Sequence, residues 1–106
     1  MAFSGGDYPE VGRWLANFVA SHAKREHPRI EAVVDAEGER EGRSYGIGLR
    51  LGARAVPAPD DPPFELSYPE VSQHRGRLAW CADLAGRVRA LARRLAEAER
   101  GVRTSA

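Results

Sequence analysis

Apolar side chains near the start of the chain fall at Val11, Trp14, Leu15, Phe18 and Val19, with His22 at the edge of the same stripe. The spacing i, i+3, i+4, i+7, i+8, i+11 describes one helix face wide enough to cover a sheet. Asp7 can cap that helix, and Pro9 fits a first turn where its missing N–H is not needed. Glu10 can reach back to close a capping box. Pro28 stops the pattern, so a helix is predicted to run to about Arg25. From 29 to 36 the period becomes two, with Ile30, Ala32, Val34 and Ala36 on one side and Glu31, Val33 and Asp35 on the other, a half-buried strand. After a charged, glycine-bounded turn at 37–42, positions 44–51 alternate again with Tyr45, Ile47, Leu49 and Leu51 inward, which predicts an antiparallel hairpin.

The stretch 53–63 holds Pro57, Pro59, Pro62 and Pro63. Proline cannot donate to a central ladder, so an extended loop is predicted there. Phe64, Leu66 and Tyr68 alternate with Glu65 and Ser67 as a short third strand. Ser67-Tyr68-Pro69-Glu70 then repeats the helix-start chemistry of Asp7-Tyr8-Pro9-Glu10, and the second helix begins there, or at Ser72 if Gly76 breaks the first turn. Tyr-Pro-Glu-Val thus occurs at 8–11 and at 68–71, but the residues that follow do not align, so the recurrence reads as shared capping chemistry and not as a duplication.

Cys81, Leu84, Val88, Leu91, Leu95, Ala98 and Val102 recur at spacings of three and four, the mark of one long amphipathic helix. A helix of about 25 to 30 residues is about 40 Å long, whereas a compact chain of this size has a radius of gyration near ~13 Å. Part of the helix should overhang its own domain. The expected fold is therefore α+β, a single domain over 1–106 in the order α-β-β-β-α. A three-stranded antiparallel sheet carries both helices on one face, the second helix projects, and a frayed tail occupies 101–106. The N-terminal half of that helix is expected on the sheet and the rest, from about Leu91, against a second copy. Trp80, Leu84, Val88, Leu91, Leu95 and Ala98 form the expected interface of a homodimer.

Composition narrows the reading. The chain has 106 residues, 42% hydrophobic and 29% charged, which suits one globular core without room for a second. Of its 16 basic residues only Lys24 is lysine, which together with abundant Ala and Gly reads as coding bias and weakens any functional meaning of the arginines. Cys81 is the single cysteine and cannot form an internal disulfide, so a reducing cytoplasm is the expected location. The N-terminus has no signal-peptide pattern and no stretch approaches the ~20 apolar residues of a membrane span.

Charge is uneven, with eight arginines against four carboxylates between Glu70 and Arg103 and a carboxylate excess in the rest. On a helical wheel Arg75, Arg89, Arg93 and Arg100 line one flank of the apolar stripe, and Arg87 and Arg94 the other. A phosphate-tracking surface is the corresponding functional reading. It is opposed by the local pairs Asp83/Arg87, Arg93/Glu97 and Glu99/Arg103, and by an isoelectric point near 8.0. The element order is similar to that of double-stranded RNA-binding domains, a likeness of order only. Those domains open their second helix with a lysine cluster, where this chain has Ser72-Gln73-His74-Arg75.

Gly46, Gly48 and Gly52 alternate along the second strand on its outer face, at a spacing that is not a dinucleotide fingerprint. A bare or subunit-covered sheet face is expected there. His22, His27, His74, Glu26 and Cys81 show no ligand spacing, so no metal, cofactor or catalytic set is expected, and Cys81 should behave as a small hydrophobe. Trp14 and Trp80 are expected in the core, with Trp80 equally suited to anchor an interface. The expected function is a non-enzymatic interaction or adaptor module that self-associates through its C-terminal helix and can take a further protein partner. Nucleic-acid binding through the arginine flank is the alternative.

Overall fold

The computed structural model describes residues 6–104, and side chains from 6 to 100. Helix α1 spans Tyr8–Ala23, with Asp7 Oδ1 accepting the N–H of Glu10 at 2.9 Å and Pro9 in the first turn. Val11, Leu15, Val19 and Ala23 are its buried stripe. The Lys24 Nζ donates to the carbonyls of Pro28 and Ile30, holding the turn that leads into strand β1, Glu31–Asp35. A single 3-10 turn, Gly38–Arg40, connects to β2, Ser44–Leu51, and the two strands pair antiparallel with Val33 opposite Gly48. Tyr45, Ile47, Leu49 and Leu51 are buried, as the alternation requires.

The sheet has four strands, one more than the sequence pattern implies. The segment read as a continuous loop over 53–63 begins with a short strand, β3, Arg54–Val56, which folds back on Leu49–Leu51. Its two-residue turn, Gly52-Ala53, has φ +62° at Gly52, a region glycine enters without a Cβ clash. Gly52 therefore belongs to a turn and not to the outer strand face with Gly46 and Gly48. Strand β4, Phe64–Ser67, pairs with the other half of β2, at Ser44–Ile47. The edge of β2 away from β1 is thus shared end to end by β4 and β3, and 57–63 is the excursion between them.

Gly76 also acts differently from expectation. It interrupts the second helix without removing its first turn, giving α2, Tyr68–His74, capped by Ser67 Oγ, and then α3, Leu78–Thr104. Both Tyr-Pro-Glu copies open helices, and their rings meet: Tyr8 lies edge-on to Tyr68 at 5.7 Å and stacks on Tyr45 at 4.6 Å. The Tyr45 hydroxyl donates to the Tyr8 carbonyl at 2.7 Å, and the Tyr8 hydroxyl faces the carbonyls of Ala36, Arg40 and Ser44. Burial raises the pKa of both phenols, which keeps them protonated as donors.

Helices α1 and α3 cover one face of the sheet. The 27 residues of α3 make a rod of about 40 Å along a molecule 52 Å in its longest dimension. Leu84 (2% exposed), Val88 (0%) and Leu95 (1%), expected to face a second copy, are core residues of the single chain, together with Ala92 and Ala96. The stripe is wide because it is seated on both the sheet and α1. Leu91, Ala98 and Trp80 are half-buried. The tail expected to fray from 101 is helical to Thr104, and 105–106 lie outside the described residues.

These placements separate core from surface. Leu95→Ala should cost about 2 to 5 kcal/mol in urea unfolding, because it opens a cavity in a closed core. Leu78→Ala, at a side chain 89% exposed, should change stability by less than about 0.5 kcal/mol. A Leu95→Ala cost that grows with protein concentration would place Leu95 at an association surface instead.

Candidate functional site

The structure spends most of the expected arginine flank on carboxylates from elsewhere in the chain. Arg75 reaches Glu10 at 3.1 Å with its side chain only 12% exposed, and its guanidinium carbon lies 6.0 Å from the centre of the Trp14 ring. Arg89 and Arg93 each place Nε on one oxygen of Glu26, at 3.0 and 3.1 Å. Glu26 is 16% exposed, and its pKa is lowered, chiefly by the hydrogen bond from Arg89. Arg94 pairs with Asp61 at 3.0 Å, and Asp61 also accepts the N–H of Ala58. Its pKa is lowered first by that backbone bond and then by Arg94. Arg100 is also engaged. The local pairing expected of Asp83 with Arg87 is replaced by a contact of Arg87 with the Phe64 ring, 4.3 Å from its centre.

Half-buried rings follow the seam between α1 and the α2–α3 segment. His22 packs on Phe18 at 4.5 Å, Phe18 on Trp14 at 5.1 Å, Trp14 on Trp80 at 6.4 Å and Trp80 on His74 at 6.3 Å. Trp80 is further fixed by donating Nε1–H to Glu70 at 3.2 Å. The histidines do not converge: burial lowers the His22 pKa, with Arg25 and Arg89 adding to the effect, while His27 Nδ1 accepts the N–H of Arg29. Cys81 Sγ lies 3.3 Å from the Arg75 carbonyl, and burial raises its pKa. Among the described residues no three His, Cys, Asp or Glu side chains are placed to hold a metal ion, and no helix is long and apolar enough to cross a membrane.

The outer face of the sheet, away from the helices, carries an open cleft of about 630 Å³. The backbone at Gly46 and Gly48 floors it, Val33 (45% exposed) forms one wall, and Pro57, Pro59 and Pro63 form the other. Gly46 has a structural reason. A Cβ there would lie 2.8 Å from Arg40 Nε, because the Arg40 side chain lies across β2 to pair with Asp35 at 3.0 Å and Glu65 at 3.2 Å. Arg50 is likewise paired with Glu31 at 3.0 Å.

The proline segment has a second concave side. Between it and α3 runs a groove of about 430 Å³ whose walls include Pro63, Phe64 and Leu91, with Arg87 and Arg94 on its α3 side. Neither concavity was assigned from the sequence. The available signal was Leu51-Gly52-Ala53-Arg54, a hairpin turn that makes two strands share one edge of β2 and leaves the prolines as a ridge between them.

Two measurements test these placements. Cys81 should react with a thiol reagent more slowly than free cysteine at neutral pH, because the raised pKa leaves less thiolate. A rate above that of free cysteine would contradict the placement. Glu26 has a depressed folded-state pKa, so its contribution to stability is present above the ordinary glutamate pKa and lost as pH falls through the folded value. Glu26→Gln should therefore flatten the acid limb of a urea-midpoint against pH curve, and an unchanged acid limb would remove Glu26 as its source.

Compared with protein-family models, with curated proteins and with solved structures, the chain matches none of them.

Proposed function

We propose that the protein is a non-enzymatic interaction module that binds partners along the ridge at 57–63. The observation that carries this reading is the pair of concavities on the two sides of one proline-rich segment, which share Pro57, Asp61, Pro63 and Phe64. Proline limits φ, and Asp61 holds both Ala58 N–H and Arg94, so the walls are held in shape and little ordering cost is expected on binding. The reactive side chains lie apart from these surfaces: Cys81 donates into the α2–α3 turn, and His22 and His74 belong to the ring seam.

Self-association through α3 is a second reading, supported by Leu78, 89% exposed at the start of the helix, and by half-buried Trp80, Leu91 and Ala98. With Leu84, Val88 and Leu95 committed to the core, the contact would use the flanks of α3. Sedimentation at micromolar concentration should then give a dimer that Leu78→Glu with Leu91→Glu shifts to monomer; a wild-type monomer at all concentrations removes it. Nucleic-acid binding through Arg75, Arg89, Arg93 and Arg100 ranks lower, since phosphate contact by Arg75, Arg89 or Arg93 would have to displace Glu10 or Glu26.

Peptides selected from a random library against the full chain should shift backbone amides at 55–64 in NMR spectra. Footprints confined to the α1–α3 seam would overturn the reading. Duplex RNA or DNA should bind weakly and lose that binding near physiological salt, with sub-micromolar affinity there reversing the order of the readings.

A further inference from the structure

We infer that the groove between the proline segment and α3 docks an acidic-apolar segment of a partner protein, a carboxylate side chain two positions from a leucine-sized one, anchored by Arg87. The inference rests on the interaction-module reading and names the partner's chemistry.

Charge complementarity selects this occupant. Arg75, Arg89, Arg93 and Arg94 are each paired with a carboxylate of the same chain. Arg87 differs: no carboxylate among the described residues lies in ion-pair reach of it, although Asp83 is exposed one turn away on the same helix. Its guanidinium is instead placed against the Phe64 ring at 4.3 Å, which positions the side chain while leaving N–H groups free to grip a carboxylate, if need be with two parallel bonds. At the other end of the groove Arg94 is neutralised by Asp61. Within the groove, then, Arg87 is the unmatched charge, and it is positive. Asp60 and Asp83 are exposed nearby, and solvent screens their repulsion.

The remaining lining is largely apolar and includes half-buried Leu91 on α3 and Pro63 on the ridge. Arg87 and Leu91 are one helical turn apart, about 5 to 6 Å between Cβ atoms. In an extended segment, residues i and i+2 point to the same side at roughly 6.5 to 7 Å. A glutamate on Arg87 and a leucine on Leu91 and Pro63 can therefore be reached together. A basic segment would meet Arg87 with like charge, and a neutral one would leave it unused.

The test is an NMR titration of the full chain with an acetylated, amidated pentapeptide carrying Glu two positions before Leu, and with its Gln and Lys counterparts. Shifts are expected at Phe64, Ala90 and Leu91, with the Glu peptide favoured over the Gln peptide by up to about fivefold, as for a partly exposed ion pair, and the Lys peptide weakest. In Arg87→Gln the Glu preference should disappear while the fold is unchanged. Leu91→Glu, which sets a carboxylate one turn from Arg87, should suppress binding. Equal affinity for the Glu and Gln peptides, shifts confined to Gly46 and Gly48, or no saturable shift each overturn the inference. The interaction-module reading is tested separately, by the footprints of the library-selected peptides.

Discussion

Every other strand of the sheet depends on hydrogen bonding to β2. β1 takes one edge along its length, and β4 and β3 divide the other between them. The same eight residues supply Tyr45, Ile47, Leu49 and Leu51 to the core and Gly46 and Gly48 to the outer face. A one-residue slip in this strand would exchange the two sets, exposing four large apolar groups, so the register is strongly fixed. Tyr45 adds a second constraint: its ring stacks on Tyr8 and its hydroxyl holds the Tyr8 carbonyl, so the start of α1 is tied to the centre of the sheet. Gly12 belongs to the same arrangement, since a Cβ there would sit 3.1 Å from the Tyr45 ring.

The two concavities follow from the strand order. Because β3 and β4 pair end to end along one edge of β2, the chain between them must leave the sheet and return. The prolines of that excursion have no ladder bonds to lose. They stand as a ridge with the glycine-floored sheet face on one side and α3 on the other. Phe64 ends the ridge, closing the core from within and receiving Arg87 from α3. The surface that supports the proposed binding role is thus a by-product of how a four-stranded sheet is closed on one central strand.

Charge pairing shows a preference for long-range partners. Glu26 gathers Arg89 and Arg93 across the α1–α3 contact, although Glu97 lies one turn from Arg93, and Arg75 takes Glu10. A partly desolvated carboxylate held by two guanidinium groups gains more than an exposed i,i+4 pair, which contributes only a few tenths of a kcal/mol. Arg87 lies at the opposite flank, where an aromatic ring is within reach and a buried carboxylate is not, and it is left with its charge unmatched.

Hydrophobic period and capping residues by themselves determined α1, β1, β2, β4, the start of α2 and the α+β class, because these signals act over neighbouring residues of the chain. The buried sides of β1, β2 and β4 and the core stripe of α1 were legible in the same way. Three things were decided only in three dimensions. β3 is too short to show a period and exists because Gly52 folds it onto β2. The apolar stripe of α3 finds its cover in its own sheet and in α1, which helix length alone could not reveal. Which arginines of the flanks of α3 are matched depends on carboxylates more than thirty positions away, since residues 10, 26 and 61 reach α3 or its approach only after the helices and the ridge have been packed around β2.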